Sequence, residues 1–187
     1  MPFRKRVFGR VLAVVSMLGG AQLVAGTAAA HVVERRASAP RLTSLDACPV
    51  AGQSEYVDSW GDRRSGGRRH EGVDMAAARG TPVLAVHAGD AEFKRSNLGG
   101  KAIWLVTPSG ERFYYAHLDD WEGSSRHVSP GEVIGYVGST GNAGGNHLHF
   151  ETRLGDEATN PYPLVRETCA SRPVLPTRRL TARPLLR

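Results

Sequence analysis

The chain has 187 residues, 41% of them hydrophobic and 22% charged, which suits one folded domain with extensions and excludes wholesale disorder. Its formal charge of +6 is concentrated at the start, where Arg4, Lys5, Arg6 and Arg10 precede the first acid, Glu34. Beyond residue 30 there remain 20 basic against 18 acidic residues, about +2, so no nucleic-acid partner is expected.

In chain order, the basic residues at 4–10 lead into an apolar run over 11–18 and a small-residue segment ending Ala28-Ala29-Ala30. This is the three-part pattern of a secretory signal, with cleavage expected after Ala30. An uncleaved anchor is the competing reading, because 11–30 is long enough to span a bilayer. Gly19, Gly20, Gln22, Gly26 and Thr27 dilute its apolar character. Removal, export and no lasting membrane insertion are therefore expected. Residues 31–47 mix charge, alanine and proline without periodicity and read as a linker.

From Cys48 the texture changes. Short apolar runs at 83–86, 91–93, 102–106, 113–116, 133–137 and 148–152 are separated by glycine-containing turns. This spacing predicts a compact, mainly β domain of antiparallel strands over 48–170. Residues 103–106 and 112–116, joined through Pro108-Ser109-Gly110, predict a hairpin. No segment sustains a helical apolar period. Cys48 and Cys169 bracket the domain and, in an exported chain, read as a disulfide in preference to two buried thiols. The tail over 171–187 carries five arginines and three prolines with no acid. It reads either as a tether for an anionic wall surface or as a solvated extension.

Three histidine clusters carry the chemistry: His70-Glu71-Gly72-Val73-Asp74, Tyr114-Tyr115-Ala116-His117 and His147-Leu148-His149. Side chains alternate along a strand, so His147 and His149 project from one face, roughly 6.5–7 Å apart. One can bind a metal while the other stands over the same site. Zinc takes imidazole and carboxylate ligands, and its catalytic sites keep three protein ligands. His70, Asp74 and His149 would supply such a set, leaving His117 and His147 as supporting or catalytic imidazoles. His31, His87 and His127 read as ordinary histidines, and Tyr114 and Trp121 as core or groove-wall aromatics. The arginine-rich stretch at 63–69 reads as a solvated loop, or as a substrate-facing one because it precedes His70.

These motifs, with Gly80-Thr81-Pro82-Val83, Pro130-Gly131-Glu132-Val133-Ile134-Gly135, Gly138-Ser139-Thr140-Gly141 and Gly144-Gly145-Asn146 through Glu151, resemble the lysostaphin-like (LytM-type) zinc metalloendopeptidases. The resemblance covers residues 56–165 and implies a barrel-sandwich, duplicated-hybrid-motif fold. It implies one Zn2+ on His70, Asp74 and His149, and catalytic roles for His117 and His147. Its implied substrate is a peptide stem or cross-bridge of bacterial peptidoglycan, met by an extracellular, wall-associated monomer. Zinc would acidify a water and polarise the scissile carbonyl, with His117 or His147 taking the proton. One departure concerns substrate. The glycyl-glycine cleavers of this family carry a tyrosine shortly before the first ligand, where this chain has Arg63, Arg64, Ser65, Gly66, Gly67, Arg68 and Arg69, which disfavours a glycine bridge. A wall-binding module without turnover and a secreted peptidase of other proteins are the competing functions.

Overall fold

The computed structural model describes residue 42 and residues 44–170. The expected signal at 1–30, most of the expected linker and the basic tail lie outside the described residues. All the described strand pairings are antiparallel, as the alternating runs predict, and the mainly β expectation is borne out.

The strands are β1 Val73–Ala76, β2 Pro82–Leu84, β3 Gly89–Ser96, β4 Gly100–Val106, β5 Glu111–Leu118, β6 Asp120–Trp121, β7 Arg126–Val128, β8 Val133–Tyr136, β9 His147–Leu154 and β10 Glu157–Thr159. The large sheet runs β1-β9-β5-β4-β3-β7, with β10 also on β9, and the small sheet runs β2-β8-β6. The predicted hairpin is the β4–β5 pair, with Trp104 opposite Tyr114 and Leu105 opposite Phe113.

Alternation divides the large sheet into two faces. Val73 and Met75, Leu148 and Phe150, Phe113 and Tyr115, and Ile103 and Leu105 are fully buried. With Val83 and Ile134 of the small sheet they form one core. Their neighbours Asp74, His149, Tyr114 and Trp104 lie on the opposite face. Hydrophobic packing of the first face therefore fixes which polar side chains the second presents.

Two features depart from the sequence expectation. The body begins before Cys48: Leu45 is buried in the core, and Asp46 N–H donates to the Val86 carbonyl. Residues 44–47 therefore belong to the domain and not to the linker, because one buried leucine and one backbone bond dock them. The second departure is α1, Tyr162–Ala170, whose nine residues are too short to establish a helical period. It buries Val165 and carries Cys169, which is bonded to Cys48 across 121 positions. Among the described residues no helix is long and apolar enough to cross a membrane.

Gly72, just before β1, is a close-approach position. A Cβ there would lie 2.5 Å from the Phe150 carbonyl oxygen and 2.8 Å from His149 Cε1. Gly72→Ala should therefore destabilise the fold by about 1–3 kcal/mol, read by denaturant unfolding. An unchanged midpoint would show that β1 and β9 can separate freely. Replacing Cys48 and Cys169 by serine should remove about 5 kcal/mol through loop closure alone, lowering the thermal midpoint by roughly 10–20 °C. Calorimetry of the two forms checks this.

Candidate metal centre

Three local structures converge on the polar face of the large sheet. The first is the β1–β9 pair, whose register sets Asp74 directly opposite His149 and Ala76 opposite His147. The second is an arm formed by residues 61–70. In it Gly61 N–H donates to the His70 carbonyl, His70 N–H to Asp62, and Arg64 N–H to Arg68, with a 3-10 turn Ser65–Gly67 at the tip. The arm delivers His70, which is buried. The arginine stretch is thus a braced hairpin beside the site, solvent-exposed at Arg63, Arg68 and Arg69 and lining the groove.

The third structure is a bulge in β5. Tyr115 faces Ile103 and Leu118 faces Lys101, so Ala116 and His117 together oppose Ala102. His117 adopts φ 65°, the positive φ found at no other non-glycine residue among those described. The extra residue breaks the alternation, so that Ala116 and His117 both line the groove. Loop contacts hold this conformation. His117 N–H donates to the Gly99 carbonyl at 2.8 Å, and Asn142 N–H to the Leu98 carbonyl at 2.8 Å. Gly141, at φ 75°, allows the close approach, since a Cβ there would lie 2.3 Å from Gly100 N.

His70 Nε2, Asp74 Oδ1 and His149 Nδ1 form a nearly equilateral triangle. The His70–Asp74 and His70–His149 edges are 3.0 Å and the His149–Asp74 edge is 2.9 Å. The outer nitrogen of each ring is already committed. His70 Nδ1 lies 2.9 Å from the Ser59 carbonyl, and His149 Nε2 lies 3.0 Å from Glu151 Oε1. Both oxygens only accept, so in the neutral rings the protons sit on the outer nitrogens and the lone pairs face inward. Two imidazole lone pairs and a carboxylate oxygen then meet with no donor among them. A positive charge at the centre resolves this, and the three residues form a group whose ligand atoms could hold a metal ion.

The surrounding charges support the same centre. Burial pushes the Asp74 carboxyl up, but hydrogen bonds to His149 and His70 and their charges reverse this and hold it well below the usual carboxylate range. Burial pushes His149 down, while Asp74 and Glu151 outweigh it and raise its pKa. Without a metal, Asp74 and Glu151 therefore favour the protonated form of His149. Burial also raises the Glu151 carboxyl, but His149 and Arg153 bring it below its ordinary value. The second oxygen of Asp74 accepts from Arg64 Nη2 at 2.7 Å.

His117 and His147 stand beside the triangle, with ring centroids 4.7 Å apart and His147 Nε2 3.7 Å from Asp74 Oδ1. Sequence reasoning found these rings but not what orients them. His117 Nδ1 donates to the Thr140 carbonyl at 2.8 Å, and His147 Nδ1 to the Gly145 carbonyl at 2.9 Å. Both Nε2 atoms are thereby left as acceptors. Burial pushes the His117 pKa down to about 4, with the Thr140 hydrogen bond opposing and the neighbouring imidazoles adding to the fall. His117 is thus neutral at neutral pH. All five sequence-predicted site residues line one groove of about 740 Å³. The other described histidines lie elsewhere, His87 on Asp46 and His127 on Asp90, and His31 is outside the described residues. Tyr114 is a groove wall, its ring edge-on to His149. Trp121 packs on Phe93 outside the groove.

Comparison with known proteins extends this picture. The chain is 41% identical over 102 residues to the DD-carboxypeptidase/endopeptidase Mpg of Neisseria meningitidis, covering 54% of this chain and 24% of that protein. It is 36% identical over 135 residues to the L-Ala--D-Glu endopeptidase of Bacillus subtilis, covering 63% and 41% respectively. The chain thus spans less than half the length of these curated relatives. Among solved structures, the catalytic domain of lysostaphin from Staphylococcus simulans superposes with a TM-score of 0.56 at 32% identity, covering 60% of this chain and 92% of that one. The profile of Peptidase family M23 matches residues 68–161, which contain all five histidine and aspartate residues of the site, and the chain belongs to that family.

Proposed function

We propose that the chain is an exported zinc metalloendopeptidase that hydrolyses peptide bonds in the stems or cross-bridges of bacterial peptidoglycan, acting as a monomer with one zinc ion. The observation that carries the reading is the triangle of three inward-facing acceptors, a donor set that a divalent cation satisfies. His70, Asp74 and His149 would hold the ion, and two imidazoles with one carboxylate suit zinc.

Zinc in that position supplies Lewis acidity, polarising a peptide carbonyl and lowering the pKa of water toward neutrality. The remaining chemistry belongs to the side chains. The arm and the β1–β9 register hold the ligands in place, and Ser59 and Glu151 fix the two ring orientations. His117 and His147 present Nε2 acceptors beside the same point. One takes the proton of the attacking water and returns it to the leaving amine. The other, once protonated, donates to the developing oxyanion. Export is supported by the signal pattern at 1–30 and by the disulfide. A wall substrate is supported by the family and by the Bacillus relative, whose name specifies a bond to a D-amino acid. We assign the flanks accordingly, residues 1–30 as the export signal and 171–187 as an extension beyond the peptidase body.

His149→Ala should abolish stoichiometric zinc binding. His147→Ala should keep the metal and lose activity by a factor of about 10² or more. Metal analysis and turnover on the two variants check this, and the opposite pattern would overturn the assignment. Incubated with peptidoglycan, the zinc-loaded chain should release new amino termini, and with an unfolded soluble protein it should not. Equal cleavage of both would instead make it a general peptidase. Wall retention with bound zinc and no turnover would make it a binding module.

A further inference from the structure

The groove lining combines apolar and strongly basic side chains. Leu98, Trp104 and Tyr114 stand among the lining residues, and so do the four arginines of the arm, Arg63, Arg64, Arg68 and Arg69. The acids that line the groove are already engaged: Asp74 with Arg64 and the two ligand histidines, Glu151 with His149 and Arg153, and Glu71 with Arg153. Among the described residues no carboxylate pairs with Arg63, Arg68 or Arg69. Arg68 donates only to the backbone and hydroxyl of Ser65, and Arg69 only to the Gly61 carbonyl. These contacts orient the guanidinium groups without neutralising them.

The arrangement is costly in the free protein. Arg63 and Arg69 are a direct cross-strand pair, and like charges directly opposite one another destabilise a hairpin. Arg64 adds a buried Nε that has no hydrogen-bond partner among the described residues. A loaded divalent ion would add two more positive charges beside them. An anion in the groove relieves the repulsion among these positive charges, and guanidinium groups suit carboxylates in particular.

We infer that the arm is a carboxylate-recognition element, and that the groove selects peptides bearing free carboxylates, such as acidic wall stems, over uncharged glycine bridges. This rests on the peptidase reading above and specifies its substrate. Arg63, Arg68 and Arg69 would bind the substrate's carboxylates, while Arg64 remains on Asp74. The aromatic lining would receive the small apolar side chains of the same peptide.

The test uses three fluorescently labelled peptides: a short alanine-containing peptide with two free carboxylates, its fully amidated counterpart, and pentaglycine amide. Dissociation constants are measured by anisotropy with the full chain at low and high salt, and hydrolysis is followed separately. The free-carboxylate peptide should bind roughly tenfold or more tightly than its amide, and the advantage should shrink as salt rises. Arg68→Gln with Arg69→Gln should abolish the advantage. Lys94→Gln with Arg95→Gln, which removes the same charge at exposed positions outside the groove, should leave it in place. Equal affinity for the acid and its amide, or an advantage that survives the Arg68/Arg69 change, would overturn the inference. Binding that discriminates by charge while no peptide is cut would overturn the peptidase reading and leave this one standing.

Discussion

The antiparallel pairing of β1 with β9 is the constraint on which the rest depends. It sets Asp74 across from His149, and the buried alternates Val73, Met75, Leu148 and Phe150 lock that register from the other face. A shift of one residue would turn the whole polar set into the core. The chemical centre is therefore held by hydrophobic packing on the opposite side of the sheet, and its geometry is as rigid as that packing. The arm and the β5 bulge add His70 and His117 to a frame that already exists.

The electrostatics follow from burial combined with one-sided hydrogen bonding. Each ring in the site gives its outer or lower nitrogen to an acceptor: Ser59 and Glu151 for His70 and His149, Thr140 and Gly145 for His117 and His147. Four lone pairs are thereby oriented without any side chain having to search for its place. Three of the four partners are backbone carbonyls, whose capacity to accept a hydrogen bond does not change with pH.

Much of this was legible in the sequence. Histidines at alternate positions before an apolar run read directly as one face of β9, and the five residues singled out by motif line one groove. The strand that carries Asp74 was not legible, because four residues with one acid give no period. Nor was α1, which is short and breaks no pattern. The carbonyl partners of the imidazoles could not be read at all, since a backbone oxygen leaves no signature in residue type. The sequence signal nearest to them was the run of glycines at 138–145, which marks a loop that must pass close to its neighbours. The arginine stretch was visible as charge, but its pairing into a hairpin depended on the turn Ser65–Gly67 and on bonds across 61–70.

The bond between Cys48 and Cys169 closes nearly all of the described fold into a single covalent ring. Every strand of both sheets lies within it, as does the match to the family. Proteolysis outside the ring cannot unravel the strands from an end, because the two ends of the span 48–169 are tied to each other. A single nick in a surface turn would leave both pieces tied together, with the groove residues on either side of the cut still joined. Persistence of this fold under proteolysis is therefore a matter of redox state as much as of folding free energy.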